Sequence, residues 1–339
     1  MNIRFFEYTN EIDFRTFNLN SFPKRKSFIN DLIDFRYFNK CHNGEFIKNN
    51  ILAFNDENEI IAQSLYHPAK YYFESKLNEM EWGFDLYVDP RSRNESVGLH
   101  LFEYIKANKN VPIFATGVGE KALKIEKFFG YHVIGHLKKY FKIVNPLLFV
   151  TGVLQGKNNL NNRFPILINN NGVIFKKVKG DELWNANQAY NADLLEFERS
   201  ENYLNWRFNS DKFKYSIYKL EKETNDLLPV YFVVRTVKVK GVSCLVLVDY
   251  RYNVKDKKDL EMIICAVEKI SIKMLIPVII AGSSHFVSDS VFELHKFKIN
   301  GKDRPIICNV KDYKIYKTNI EKRDFIFTTF ADSDGEYLM

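Results

Sequence analysis

The order of strand and helix patterns constrains this chain most, because the same series runs through it twice. In the first half, Ile51–Asn55 reads as a strand, Asn55–Asn58 as a hairpin turn and Ile60–Tyr66 as the return strand, which Tyr71–Phe73 extends. Met80–Val88 is a third strand, broken by Asp89-Pro90. Apolar residues at helical spacing then mark Ser96–Ala107, and a short strand follows at Val111–Ala115. Glu120–Phe129 is a second helix, with Ala122, Leu123, Ile125, Phe128 and Phe129 inward, closed by Gly130. Tyr131–Val144 is a long strand.

In the second half, Val173–Val178 is a strand, Asp181–Ala192 and Arg199–Phe208 are helices, and Lys214–Glu221, Val230–Val237 and Val242–Tyr250 are strands. Helix Asp259–Lys273, strand Ile276–Ala281, helix Phe286–Phe297 and strand Pro305–Val310 complete the series. Such alternation predicts an α/β fold, with mixed, mostly antiparallel sheets flanked by helices. The 339 residues suit two domains at about 100–200 residues each. The Gly- and Asn-rich composition of 146–172 places the connection there, dividing the chain into 1–148 and 149–339.

Few function classes are excluded by composition. A net charge of +7 favours anionic ligands without selecting nucleic acid. Cys41, Cys244, Cys265 and Cys308 are far apart and form no C-x-x-C pair, so no metal is expected and nothing calls for an oxidising compartment. The N-terminus lacks a secretory signal pattern and no run of about 18 apolar residues exists. The expectation is a cytoplasmic protein without a membrane span.

The chemically informative segment is Val88–Leu99: a strand end, a proline-marked turn with basic and small residues, and then a helix start. The first turn of a helix exposes unpaired backbone N–H groups and the positive end of the dipole, which suit a phosphate. Gly98 allows close approach to the backbone, and Arg93 supplies charge.

On these residues the chain resembles the GNAT superfamily of acetyltransferases. Arg93, Ser96 and Gly98 fall on that family's acyl-CoA pyrophosphate loop, Tyr87–Pro90 on the end of its fourth strand, and Ala122–Tyr131 on its fourth helix with the closing Gly-aromatic pair. The resemblance covers about residues 40 to 145 and implies two tandem domains of this fold. It departs from the pattern where Ser96 stands for glycine, Gly119 for asparagine and Glu126 for the tyrosine that often acts as general acid.

By resemblance, Leu86, Tyr87, Val88, Arg93, Asn94, Ser96, Val97, Gly98 and Leu99 bind acetyl-CoA or another acyl-CoA. The family reaction is direct attack of an amine on the thioester, with a backbone N–H near Leu86–Val88 polarising the carbonyl. Glu81, Asp85 and His67 are the candidate bases. The second half lacks an equivalent glycine loop after Asp249-Tyr250. There, Gly282–His285 at a strand end and the run Glu198–Phe208 are candidates for the acceptor site. The latter resembles a Y-L-x-W-R-F segment of tandem proteins encoded near bacterial surface-polysaccharide genes. Trp206 would stack on a sugar ring, Arg207 would bind an anionic group and His285 would line the pocket.

The acceptor expected from this resemblance is a small amine, plausibly a nucleotide-linked amino sugar. Two alternatives stay open: transfer from aminoacyl-tRNA, and a non-catalytic ligand-binding protein that kept the fold.

Overall fold

The structure is a computed structural model and describes residues 1–38, 45–155, 162–209, 213–221, 228–310 and 325–333. Contacts divide the chain into two compact units. The first holds Met1–Lys70, Glu79–Val133 and a short stretch from Ile307. The second holds Tyr71–Asn78, Ile134–Ile306 and the C-terminal residues. Neither unit is continuous in sequence, so they differ in kind from the halves 1–148 and 149–339.

Strand β1 (Asn2–Phe5) opens the first unit, followed by helices α1 (Glu11–Ser21) and α2 (Ile29–Tyr37). Next come β2 (Ile51–Phe54), β3 (Ile60–Phe73), β4 (Lys76–Val88), α3 (Val97–Asn108), β5 (Ile113–Thr116) and α4 (Glu120–Phe128). β1, β2 and β3 pair antiparallel, while β5 lies parallel to β4 after the α3 crossover. One sheet face packs on α1 and α2 through Phe14, Ile29, Ile33, Leu52 and Leu65. The other packs on α3 and α4 through Val97, Leu101, Ile105, Ile51 and Ala62.

The second unit takes β6 (His132–Ile143), α5 (Pro146–Gln155), β7 (Leu167–Asn170), β8 (Val173–Val178), β9 (Leu195–Phe197) and α6 (Glu201–Phe208). It continues through β10 (Tyr215–Leu220), β11 (Tyr231–Val239), β12 (Val242–Arg251), α7 (Lys257–Lys273), β13 (Val278–Ser283) and α8 (Phe286–Leu294). The short strands β14 (Lys298–Ile299), β15 (Arg304–Cys308) and β16 (Ile326–Phe327) end the series. β7, β8, β10, β11 and β12 pair antiparallel in the order β7-β8-β10-β11-β12, and β13 lies parallel to β12. All ten residues of β12 are buried, which explains the apolar run Cys244–Val248 within it. Both units therefore share one plan: an antiparallel meander, a helical crossover to a parallel strand, and a second helix.

Two expectations need correction. The stretch 146–172, read as a connection, contains helix α5 and strand β7; its residues 156–161 lie outside the described set. The helix expected at Asp181–Ala192 shrinks to a 3-10 segment, Gly180–Ala186. The backbone N–H groups of Tyr190 and Asn191 donate instead to the buried Glu196 carboxylate, at 2.8 and 3.3 Å. A nearby acceptor thus outcompetes the helical one.

Candidate functional site

Strand β4 changes face in its middle. Phe84 packs on the α1/α2 side, yet Leu86 and Val88 pack on the α3/α4 side. Residues two apart on a regular strand share a face. The break falls on Asp85, whose φ of 45° lies in the left-handed region. That conformation costs a non-glycine residue about 1–2 kcal/mol. Local bonds compensate: Arg25 and Arg36 donate to the Asp85 carboxylate at 2.6 and 3.2 Å, and Gln63 Nε2 donates to the Asp85 carbonyl at 3.2 Å. Among the described residues the β4–β5 ladder spans only Glu81/Ile113 and Trp82/Phe114. Beyond it β5 runs to Thr116 and β4 to Val88, so the strands part where left-handed Asp85 lies.

The chain then turns into α3. Asp89 accepts from Arg91 N at 2.9 Å, and the Arg91 guanidinium holds its carboxyl below the usual range. Ser96 is left-handed (φ 59°), and α3 starts at Val97 with Leu99 N and His100 N bonded to Ser96 O. A Cβ added to Gly98 would meet only Val88 Cγ2, at 3.8 Å. Protein packing therefore does not require this glycine, and the space over the first turn is open to a ligand. Exposed Arg93 donates from Nε to Val88 O at 3.1 Å and lies over the Tyr87 ring. Asn94 is exposed and Leu99 is 42% exposed. Val97 is buried in the core, while Leu86 and Val88 pack against it half-buried, so Val97 has only backbone groups to offer a ligand. Tyr87 points to the other face, against Phe17 and Phe22. Beside this turn an open groove of 530 Å³ is lined by Asp13, Thr16, Glu59, Tyr87, Asp89 and Arg91, among others.

The candidate bases fare unequally. Asp85 is committed to two guanidinium groups, which corrects its reading as a base. Buried Glu81 is paired with Lys109 at 2.9 Å, whose ammonium burial shifts downward. His67 is buried on β3. The sequence pointed to Glu126 only as a substitution, but the structure gives it a distinct chemistry. It is 5% exposed, its Oε2 has no hydrogen-bond partner among the described residues, and burial pushes its carboxyl up to about 7. Its position, four residues after Ala122 and three after Leu123, is the signal that puts it on the inner stripe of α4. Phe128, expected on that stripe, is 81% exposed.

In the second unit the three proposed acceptor residues are buried. Trp206 packs on Tyr203, Arg207 donates to Ala331 O and Tyr215 Oη, and His285 lies against Phe286 and Phe327. None presents a surface to a sugar, which corrects those readings. The Gly282–His285 strand end is filled by the chain itself. A Cβ on Gly282 would meet the Phe330 ring at 2.8 Å, and Ser284 Oγ donates to Ile326 O. After β12, where the first unit has its open turn, the second has a buried ion network. Arg199 donates to Asp249 at 2.8 and 3.1 Å and to Asp332 at 2.7 Å, with Arg251 beside both carboxylates. Among the described residues no cluster of three or more His, Cys, Asp or Glu is arranged to hold a metal; Cys41 lies outside that set.

This geometry has solved counterparts, and they define the fold as that of the GCN5-related N-acetyltransferases. The chain matches one such protein from Anabaena variabilis with a TM-score of 0.61 at 12% identity, over 90% of this chain and 72% of that one. It matches a probable N-acyltransferase from Enterococcus faecalis with a TM-score of 0.57 at 11% identity, over 91% and 71%. A third counterpart is the Saccharomyces cerevisiae N-myristoyltransferase with bound myristoyl-CoA, with a TM-score of 0.52 at 12% identity, over 81% and 72%. At such identities the likeness is one of fold. No family model and no curated relative matches the sequence.

Proposed function

We propose that the first unit is an acyl-CoA-dependent N-acyltransferase site acting on a small amine. The observation that carries this reading is the parting of β4 from β5 at left-handed Asp85, followed directly by a turn into a helix whose first turn is open at Gly98. The Arg93–Leu99 segment would hold the pyrophosphate of acetyl-CoA or a longer acyl-CoA on backbone N–H groups. A backbone N–H of Leu86–Val88, turned out of the ladder, would polarise the thioester carbonyl. The amine attacks that carbonyl directly, giving the amide and the free thiol of CoA. Carboxylates from Asp13, Glu59 and Asp89 line the adjacent groove and suit a cationic amine. An amino sugar of surface-polysaccharide biosynthesis is the version favoured by the sequence resemblance around Tyr203–Phe208.

Proton transfers are assigned by environment. Glu126, whose carboxyl burial raises to about 7 so that a large share keeps its proton near neutral pH, is proposed to supply the thiolate with a proton in place of the family's tyrosine. His67 is the proposed base.

Isothermal titration with acetyl-CoA and longer acyl-CoA thioesters tests the site. Wild type is expected to bind in the micromolar range. Gly98→Trp, which fills the open space, is expected to weaken binding at least about tenfold, or roughly 1.4 kcal/mol. Absence of binding by the folded wild type to every thioester would overturn the reading.

A further inference from the structure

Helix α5, with the sequence PLLFVTGVLQ, has no charged residue. A helix so apolar is normally buried on all sides. Here Leu147, Val150, Val153 and Leu154 are 74, 51, 54 and 78% exposed, on one face by their spacing. The helix is nevertheless anchored. It packs on β12, and Asn145 Oδ1 accepts from Leu148 N at 3.1 Å. Val144 N donates to Pro277 O at 2.8 Å, tying the segment before α5 to the link between α7 and β13. In the last turn of α7 and the link that follows it, Ile272 and Leu275 are also exposed, at 62 and 70%. Scattered exposed apolar side chains are ordinary, whereas a contiguous set on anchored elements marks an interaction surface.

Charge narrows the choice of partner. From Glu126 to Asp181 the intervening chain has eight lysines, one arginine and no acidic residue. α5 sits within that acid-free stretch. The hairpin entering β12 adds Lys238 and Lys240, and the last turn of α7 adds Lys273. A second copy docking here would set this basic region against itself and repel. An anionic lipid surface satisfies both features, with apolar side chains among the acyl chains and lysines at the headgroups. No helix among the described residues is long and apolar enough to cross a membrane, so the contact is peripheral. We propose that the exposed face of α5 and the end of α7 seat the protein on an anionic membrane surface. The inference is independent of the acyl-CoA site.

Co-sedimentation of the full chain with vesicles tests it. Phosphatidylcholine vesicles are compared with vesicles that also contain phosphatidylglycerol. Binding is expected on the anionic vesicles, weakened by raised salt. The double variant Leu147→Ser/Leu154→Ser is expected to bind at least about tenfold more weakly, because binding scales with buried apolar area. Both positions are exposed, so its thermal melt should match wild type. Ile12→Ser, at another exposed apolar position (79%), is expected to bind as wild type does. No binding to anionic vesicles overturns the proposal, as does equal binding by the double variant. A concentration-dependent dimer that the double variant abolishes would assign the face to a second copy instead.

Discussion

Replacing Asp249 with asparagine is expected to destabilise the second unit by about 3–5 kcal/mol, the usual cost of breaking a buried ion pair from one side. Asp249 is wholly buried and accepts from Arg199 at 2.8 and 3.1 Å, Tyr231 at 3.1 Å and Thr329 at 2.7 Å. Burial by itself would raise its carboxyl, but Arg199 and Arg251 outweigh that and hold it well below the usual range. Two guanidinium groups face two carboxylates in this network, so neutralising one carboxylate leaves positive charge uncompensated where water does not reach. Urea denaturation followed by tryptophan fluorescence measures the loss. The double variant Arg199→Met/Asp249→Leu should lose less than Asp249→Asn, because it removes charge from both sides. A loss below about 1 kcal/mol for Asp249→Asn would contradict the uncompensated-charge argument. Because the folded carboxyl is depressed, this stabilisation is present above the ordinary aspartate range and is lost as pH falls through the folded value.

The opposite sign is expected at Glu126. Its folded carboxyl titrates at about 7 against an ordinary 4.5. Between those values the folded state holds a proton that the unfolded state has released, so stability falls as pH rises through this window and levels off above it. The difference amounts to about 3 kcal/mol, taking roughly 1.4 kcal/mol per pH unit. Tyr66, Tyr131, Cys308 and the Glu81–Lys109 pair are among the other titratable groups around this core. Burial moves both phenols upward, so they stay neutral across the window. Glu126→Gln is therefore expected to match wild type near pH 4.5 and to exceed it by up to about 3 kcal/mol at pH 8. Unfolding free energies of both proteins across that range check it. Parallel pH profiles would show that the carboxyl is already solvated.

Much of this arrangement can be read along the chain, where the cause is local. The apolar run of β12, the stripe of α3 and left-handed Gly130 (φ 91°) after α4 each follow from periodicity or from one residue's conformational freedom. The open turn at Gly98 was likewise visible as a strand–proline–helix sequence. What could not be read depends on distant partners. Asp85 looks like any strand carboxylate until Arg25 and Arg36, 60 and 49 positions earlier, fold against it. Trp206 and Arg207 have the chemistry of ligand contacts, and only tertiary packing puts them inside. α5 was hidden because Gly152 and the neighbouring asparagines suggest a linker, although its ten residues carry an almost wholly apolar pattern.

The network around Asp249 also has a consequence in time. Asp332 follows Arg199 by 133 positions, and Thr329 follows Asp249 by 80. At about 5–20 residues per second, a ribosome needs several seconds to make the chain between them. For that interval the nascent second unit has its arginines without their full complement of carboxylates, and Gly282 without the Phe330 ring that covers it. The newly made unit would then display a charged, partly apolar opening that closes only when the turn Thr329–Asp332 arrives.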